Sequence, residues 1–515
     1  MTATRVAARG ARIGPRRRIA VDLEASVNLL GTLGKYLGLA ALLPTAVALV
    51  YGEPVWPFLV AGAVTSGVGL GLERLTSGAA ERVRAREGYL VISATWLLAA
   101  CFGAMPYLFV GGDQLGHPMD AFFEGMSGFT TTGATVVTDF DELSHSLAMW
   151  RQFTQWLGGL GIIVLALAVL PRLRVGGRQL LESELPGPEV DQLSERIKHT
   201  VRRIWILYVA LTALEAAILT AFGWTGIDDE LNLYEAVAHA FTTIPTGGFS
   251  TQAESIGAFA PATQWVVLAF MVLAGLNFAL LWRSVIQRRP GALTRDEESR
   301  LYVFLLVAAS ALLIIELTTG EIAGSDAPIR NGVFQAVAIM TGTGYATVDF
   351  AAWPTLALMT LVLLMFIGGA AGSTTGSLKV IRHLLLARVL RRELAQTLRP
   401  ELVSPVRLSG AVVDERIVRA IIAFVLLYIG LFVAGAGVIA VDASLRGPDM
   451  LPIDAISSAA ATLGNVGPSA GPAGPMDSYA PFSDLSKGTM VALMWLGRLE
   501  LIPIIVLFTR SYWRV

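Results

Sequence analysis

The chain has 515 residues, of which 54% are hydrophobic and 15% charged, and its net charge is −1. Soluble domains carry about 25% charged residues, so this composition, with a mean hydropathy of +0.61, excludes an ordinary soluble protein. The single cysteine, Cys101, excludes an internal disulfide bond and a cysteine-based metal site. The composition indicates an integral membrane protein.

The first 28 residues form a basic segment that contains six arginines. It is not a secretory signal, because it leads into Val21-Asp22-Leu23-Glu24 rather than into an apolar stretch. An arm that binds DNA is conceivable, but anchoring to anionic lipid of the cytoplasmic leaflet explains the charges better. We expect a cytoplasmic N-terminus, membrane lipid as its partner, and no nucleic acid.

Ten apolar segments approach the ~20 residues that a transmembrane helix needs. In chain order they are 29–50, 54–72, 88–110, 150–170, 203–223, 262–282, 301–319, 353–378, 417–441 and 489–509. Of the Lys and Arg residues between them, 33 lie in the gaps on the side of the N-terminus and 3 lie in the alternate gaps. Basic residues accumulate on the cytoplasmic side, so both termini are predicted to be cytoplasmic.

Four polar stretches rich in threonine and glycine lie in the outer gaps. They are 130–135, 246–249, 342–346 and 462–467. Each follows a segment long enough for half a transmembrane helix and precedes a full span. Non-helical backbone is tolerated at membrane depth only where it lines a cavity, and a ring of four such loops can replace the hydration shell of a monovalent cation. The pattern predicts a cation pore formed by one polypeptide.

These loops also mark an internal repeat. Aligned on Gly133, Gly248, Gly344 and Gly464, they are separated by 115, 96 and 120 residues. The near-constant spacing indicates four copies of one unit that consists of a span, a half-helix, a loop and a second span. The predicted divisions are a basic N-terminus at 1–28, two extra helices at 29–86, and pore modules at 87–200, 201–299, 300–400 and 401–515.

The residue types suit a large monovalent cation. Glycine adopts the backbone conformations that aim successive carbonyl groups at one axis, and a preceding threonine offers a hydroxyl oxygen. A half-helix whose C-terminal end faces the pore adds a negative partial charge. Ligation without a dedicated carboxylate fits Ca²⁺ and Mg²⁺ poorly.

Several motifs resemble the Trk/Ktr/HKT superfamily of potassium transporters, and within it the TrkH branch. The similarity extends from about residue 85 to near the end of the chain. The motifs are Gln155–Val164, Val175–Leu180, Glu184–Pro188, Ile244–Thr251, Ala274–Leu280, Gly464–Pro468 and Gly497–Glu500. The two spans before residue 73 are typical of TrkH-like members.

The resemblance implies an all-α integral membrane protein in the bacterial cytoplasmic membrane, with about ten transmembrane helices. Two N-terminal helices would precede four M1–P–M2 units around a pseudo-fourfold pore. The resemblance also implies a homodimer and a cytosolic, nucleotide-binding, TrkA-like regulator. The potassium filter carries over onto Thr131, Thr132, Gly133, Gly247, Gly248, Thr343, Gly344, Leu463, Gly464 and Asn465. Glycine in all four modules is the potassium-favouring pattern, although no module has a full Thr-Val-Gly-Tyr-Gly.

A second glycine-rich segment lies within the predicted span 353–378. It runs from Gly368 to Gly376 and contains Gly369, Gly372, Ser373, Thr374 and Thr375. Glycine weakens a helix by roughly 1 kcal/mol per residue, so an unwound loop that gates the pore is favoured over a helix-packing face. The resemblance implies that Arg498 faces the pore below the filter as a barrier to cations. The alternative is a buried ion pair of Arg498 with Glu500 or another acidic residue.

Four further polar residues have less specific patterns. Glu124, Glu235 and Asp454 lie near the predicted starts of the half-helices, where a carboxylate stabilises the helix N-terminus. We prefer that role for them over direct ion binding. Asn277 in the sixth span fits a pore role and an interhelical hydrogen bond equally well.

Other functional classes fit less well. The chain lacks a phosphate-binding loop, so we expect it to bind no nucleotide itself, and it lacks the paired acids or histidine cluster of a membrane enzyme. A secondary transporter for another cation such as sodium would also have glycine-broken helices, but it predicts two inverted halves rather than four units in one orientation. Coupling of potassium to H⁺ or Na⁺ remains open from the sequence.

Overall fold

The computed structural model describes residues 21–78, 85–169, 190–319, 327–402 and 404–514. Most of the basic N-terminus, the stretch 170–189 and the motifs at 175–180 and 184–188 lie outside the described residues.

The described chain is helical apart from its loops and one small hairpin. The first helices are α1 (Leu23–Leu37), α2 (Leu42–Tyr51), α3 (Trp56–Leu75), α4 (Ala85–Val110), α5 (Gly112–Leu115), α6 (Pro118–Phe129) and α7 (His145–Val169). Next come α8 (Val190–Trp224), α9 (Leu233–Thr243), α10 (Pro261–Ala274), α11 (Phe278–Val285), α12 (Gly291–Thr294), α13 (Glu297–Thr319), α14 (Pro328–Met340), α15 (Thr355–Leu364) and α16 (Val380–Leu398). The last elements are β1 (Arg407–Leu408), β2 (Ala411–Val412), α17 (Glu415–Arg446), α18 (Pro452–Leu463), α19 (Asp484–Arg498), α20 (Ile502–Leu507) and α21 (Arg510–Trp513). Strands β1 and β2 pair antiparallel.

The N-terminal helix pair packs through small residues. A Cβ atom added at Gly31 or Gly69 would come within 3.0 Å of backbone atoms of the facing helix. Such close backbone approach is the usual way in which transmembrane helices associate. The Lys35 ammonium also lies 2.6 Å from the Glu73 carboxylate across the same seam.

The remaining helices repeat one arrangement four times. In each module a long helix is followed by a short helix, an extended loop and a second helix. The short helices, called pore helices here, are α6, α9, α14 and α18. Buried apolar side chains form two main clusters, one in modules 1 and 4 with the N-terminal pair and one in modules 2 and 3. The partly buried Phe366 and Phe432 contact both clusters.

The membrane-spanning helices confirm the predicted all-helical membrane fold. Among the described residues, six helical segments are long and apolar enough to cross a membrane, with Leu23–Tyr51 (α1 and α2) counted as one. Helices α10 and α11, bent by 108°, make a seventh when the pair is counted as one span. Helix α7 covers the predicted span 150–170 up to Val169. The predicted spans 262–282 and 489–509 are each interrupted within the membrane-spanning segment. Asn277 caps a new helix inside the first, and Glu500 and Leu501 take positive φ angles of 55° and 57° inside the second.

Candidate filter and the loop beneath it

The four loops that follow the pore helices share one backbone conformation. A residue with positive φ occurs two positions before a glycine with positive φ in every module. The pairs are Thr131 and Gly133, Thr246 and Gly248, Gly342 and Gly344, and Asn465 and Gly467. The backbone N–H of the first member donates in each case to the carbonyl three residues earlier, on Gly128, Thr243, Ile339 and Thr462 respectively.

This repeated geometry corrects the alignment of the fourth module. Gly464 ends pore helix α18 with φ −78°, the same position and conformation that Thr130 has after α6. The counterpart of Gly133 is therefore Gly467, and Leu463 and Gly464 lie three residues too early in the chain. A gapless alignment of Ala455–Gly467 with Ala121–Gly133 contains the signal that identifies the right glycine.

The four ring glycines, Gly133, Gly248, Gly344 and Gly467, form a closed circle. A Cβ atom added at any of them would come within 3.0 Å of a carbonyl oxygen of another loop. The oxygens met in turn belong to Gly247, Thr343, Val466 and Thr132. Each is the residue that precedes the ring glycine of the next module, so the circle closes from module 4 back to module 1. Glycine is required here both by its positive φ and by the lack of space.

An open cavity of about 280 Å³ lies on one side of the ring and is lined by all four ring glycines. Asp477 from the outer loop of module 4 also lines it. Burial and the nearby Asp349 carboxylate raise the pKa of Asp477. Gly464 does not line this cavity, which agrees with the corrected alignment.

Side-chain hydroxyl groups near the ring bond mainly to protein. Thr132 Oγ1 lies 2.8 Å from Thr130 Oγ1 and accepts from Asn465 Nδ2 at 2.9 Å. Thr343 Oγ1 likewise lies 2.8 Å from Thr341 Oγ1. These hydroxyls hold the loops in place, whereas the buried Thr131 Oγ1 has no hydrogen-bond partner among the described residues.

One equivalent position in each pore helix supports the chain after the ring glycine. The residue nine positions before that glycine is Glu124, His239, Gln335 or Ser458. Glu124 accepts from the Val136 N–H at 3.0 Å, His239 Nε2 lies 3.0 Å from Ser250 Oγ, and Ser458 Oγ lies 3.1 Å from Ser469 Oγ. The Gln335 amide lies against Thr347. Four different types of side chain at this position thus contact the chain that follows the ring glycine.

Glu124 does not have the role at the start of a helix that was predicted for it. It lies inside α6, and its fully buried carboxylate accepts from Arg151 Nε at 2.8 Å. The prediction for Asp454 is confirmed, since its carboxylate accepts the Leu451 N–H at 2.8 Å at the start of α18. Glu235 lies in the first turn of α9 as predicted, and its carboxylate accepts from the Thr251 hydroxyl.

Beneath the ring, the glycine-rich segment of module 3 is unwound. Helix α15 ends at Leu364 and α16 begins at Val380, and Gly368 and Gly372 between them have φ of 75° and 77°. This segment is called the intramembrane loop here. At its tip, Thr374 Oγ1 donates to the carbonyl of Ile244, just after pore helix α9, at 3.1 Å.

The same loop is bonded to the break in module 2. The Ala370 N–H donates to the Gly275 carbonyl at 2.9 Å, and the Phe278 N–H donates to the Gly372 carbonyl at 3.2 Å. Asn277 accepts from the N–H groups of Ala279 and Leu280. Asn277 is therefore the cap of α11, which neither sequence-based interpretation had included.

Arg498 ends α19 directly beside the loop. Its side chain is 1% exposed, and Nη1 donates to the Thr374 carbonyl at 2.9 Å. Nε and Nη2 have no hydrogen-bond partner in the described part of the chain. Glu500 instead lies 2.6 Å from Arg382 and 3.2 Å from Lys379, so the alternative pairing of Arg498 with Glu500 is wrong.

The described residues contain no group of three or more His, Cys, Asp and Glu side chains that could hold a metal ion.

Comparison with known proteins agrees with this geometry. Residues 58–514 match the family model described as "TrkH: Cation transport protein", so the match includes most of α3 as well as the four modules. The Trk system potassium uptake protein TrkH of Halomonas elongata is 34% identical over 497 residues, which cover 96% of this chain and 100% of that protein. The Escherichia coli protein of the same name is 36% identical over 435 residues, or 84% of this chain and 87% of that one.

A solved structure has the same fold. The crystal structure of the potassium transporter TrkH from Vibrio parahaemolyticus superimposes with a TM-score of 0.83 at 31% identity, and the match covers 96% of this chain and 100% of that one. The family model and the near-full-length relatives confirm the resemblance drawn from the sequence motifs. The chain belongs to the TrkH family of cation transport proteins, which are multi-pass membrane transporters and not enzymes.

Proposed function

We propose that this protein takes up potassium across the bacterial cytoplasmic membrane through the ring of four loops. The observation that carries the proposal is the closed circle of ring glycines, each facing a carbonyl of the next module. Relatives that align over most of their length are named as potassium uptake proteins, which supports the same ion.

The proposed ligands are the backbone carbonyls next to the ring glycines, on Thr132, Gly247, Thr343 and Val466. Thr131, Asn465 and the ring glycines set the conformation that brings these oxygens together. Leu463 and Gly464 are not proposed as ligands, because their carbonyls lie against Gly497 and Gly376. The membrane potential would drive entry, at about 2.3 kcal/mol per charge for each 100 mV.

Growth of a potassium-uptake-deficient bacterium tests this function. Expression of the protein, together with the TrkA-like protein of its own genome, should restore growth at low potassium. Membrane insertion is confirmed by fractionation, and a variant with Gly133, Gly248, Gly344 and Gly467 all changed to alanine serves as the inactive control. No growth above this control would contradict potassium uptake.

The proposed gate is the intramembrane loop with Arg498. Gly368, Gly369, Gly372 and Gly376 let the loop unwind, and Ser373, Thr374 and Thr375 form its tip. Thr374 bonds both to the chain below the ring and to Arg498. A buried guanidinium whose Nε and Nη2 have no hydrogen-bond partner among the described residues places positive charge on the ion path and raises the barrier for cations.

The proposed assembly is a homodimer bound on its cytoplasmic side to a TrkA-like, nucleotide-binding regulator. The charge asymmetry of the sequence supports cytoplasmic termini, and segments 171–203 and 379–419 hold 16 of the 33 inner Lys and Arg residues. Attraction to anionic lipid accounts for the same charges. Co-purification with the TrkA-like protein, with and without nucleotide, separates these interpretations, because a lipid role alone predicts no stable complex.

A further inference from the structure

One buried carboxyl group connects the intramembrane loop to the start of helix α16. Glu298, in the first turn of α13, is 6% exposed. Its Oε1 accepts the N–H of Ala371 at 2.6 Å and the N–H of Ile381 at 3.1 Å. The Val380 N–H donates to the Gly369 carbonyl at 3.0 Å between these contacts. Glu298 therefore joins the middle of the intramembrane loop to the start of helix α16.

The charged groups around Glu298 do not form an ion pair with it. Asp296 before α13 and Lys379 at the end of the loop act on it electrostatically, and the Lys379 ammonium lies 3.2 Å from Glu500. The adjacent Glu297 has different partners, since it accepts from Arg388 at 2.8 Å and from the Ser409 N–H at 3.0 Å. Two neighbouring carboxyl groups thus bind different segments: Glu298 contacts the loop and the start of α16, and Glu297 contacts Arg388 of α16 and Ser409 between β1 and β2.

Capping of a helix does not explain both contacts of Glu298. The bond from Ile381 satisfies an N–H in the first turn of α16, which any capping group could do. The bond from Ala371 lies ten residues earlier, inside the unwound loop. A buried N–H group that loses its acceptor costs free energy, so movement of the loop away from α13 would have to break or replace the 2.6 Å bond from Ala371 to Glu298.

We propose that Glu298 is a positioning residue that holds the intramembrane loop closed. The proposal rests on the proposed gating function and adds a specific element to it. The long helix α13 of module 3 fixes the loop of the same module from the cytoplasmic side, while Arg498 contacts its tip from module 4. Opening then requires release at Glu298 as well as at the tip.

Potassium flux into proteoliposomes without the regulator tests this role. Glu298→Ala should raise that flux about tenfold, because loss of the acceptor of the Ala371 N–H favours release of the loop. Glu298→Gln should raise it less, since the amide oxygen can still accept both N–H groups without the charge. The ratio of potassium to sodium flux should stay unchanged, which a general loss of structure would not allow.

Glu297→Ala is the matched control, because it removes a neighbouring carboxylate that does not contact the loop. Wild-type flux in a folded Glu298→Ala protein, or an equal rise in Glu297→Ala, would overturn the proposal. If Glu298→Ala does not fold, the flux of Glu298→Gln provides the test. A flux above that of the wild type supports the positioning role of Glu298, and a flux equal to that of the wild type overturns it. Two other results would reject the hypotheses beneath this one. A loop deletion that leaves regulator-free flux unchanged would reject the proposed gate. A wild-type protein that conducts no potassium with its regulator present would reject the proposed function.

Discussion

The filter ring and the layer beneath it are built on opposite principles. At the ring, four modules with different sequences adopt the same backbone conformation, with positive φ at two matched positions. Beneath it, the second helix of each module differs: α7 continues without a break to Val169, whereas the others break at 275–277, 365–379 and 499–501. Equal ligation from four sides requires symmetry, while a gate needs only one element that moves.

Substitution of a ring glycine should have the largest effect of any single substitution on potassium uptake. Gly467→Ala should reduce potassium uptake about hundredfold, or about 2.7 kcal/mol in barrier height, because a Cβ would clash with the Thr132 carbonyl and φ is 103°. Gly464→Ala should reduce it less, since φ is −78° there and a Cβ would lie 2.9 Å from the nearest carbonyl oxygens, those of Ala460 and Met365. Uptake of ⁸⁶Rb⁺ in cells measures both. Equal effects of the two substitutions would contradict the assignment of Gly467, rather than Gly464, as the filter glycine of module 4.

Deletion of Ala371–Thr375 tests the asymmetric layer. It removes the tip of the intramembrane loop and its bond to Arg498, so regulator-free flux should rise about tenfold, the effect of lowering a barrier by about 1.4 kcal/mol. Selectivity should remain near that of the wild type, because the ring does not depend on the tip. Purified protein in liposomes gives both values. A folded deletion variant with wild-type flux would mean that the glycines serve helix packing.

Arg498 should have a smaller effect on the same layer. Arg498→Ala removes the positive charge and the bond to the Thr374 carbonyl, and regulator-free flux should rise about threefold to tenfold. Arg498→Lys keeps the charge and is the matched control, with flux close to wild type. If alanine and lysine raise flux equally, the hydrogen-bond geometry rather than the charge forms the barrier.

Substitution of Glu124, which supports the chain after Gly133, should give the smallest change in cation flux. Glu124→Gln keeps the volume but weakens the buried pair with Arg151, which leaves a buried cation without a full counter-charge. The ratio of potassium to sodium flux should fall about threefold, with a lower melting temperature. Ser458→Ala, at the equivalent position of module 4, removes a single neutral hydrogen bond and should change the ratio less. The opposite order would contradict a role of the ion pair in supporting the filter.

The sequence was sufficient where a local pattern has one physical meaning. The hydrophobic lengths and the unwinding of Gly368–Gly376 follow from composition and from the cost of glycine in a helix. The sequence was insufficient where two residues fitted one pattern, as with Gly464 and Gly467, since only backbone conformation separates a helix cap from a ring glycine. The helix breaks at Asn277 and Glu500 were not predicted either, because each depends on partners that are distant in the chain. The Phe278 N–H bonds to the Gly372 carbonyl, and Glu500 pairs with Lys379.

Relative cation flux through the wild-type protein tests the central claim most directly. Purified protein with its TrkA-like regulator is placed in liposomes that have a negative-inside potential, and uptake of K⁺, Rb⁺ and Na⁺ is measured in parallel. A ring of backbone carbonyls on glycine-restricted loops predicts potassium and rubidium flux at least about tenfold above sodium. Sodium flux equal to or greater than potassium flux would contradict the assignment of the four-glycine ring as a potassium filter.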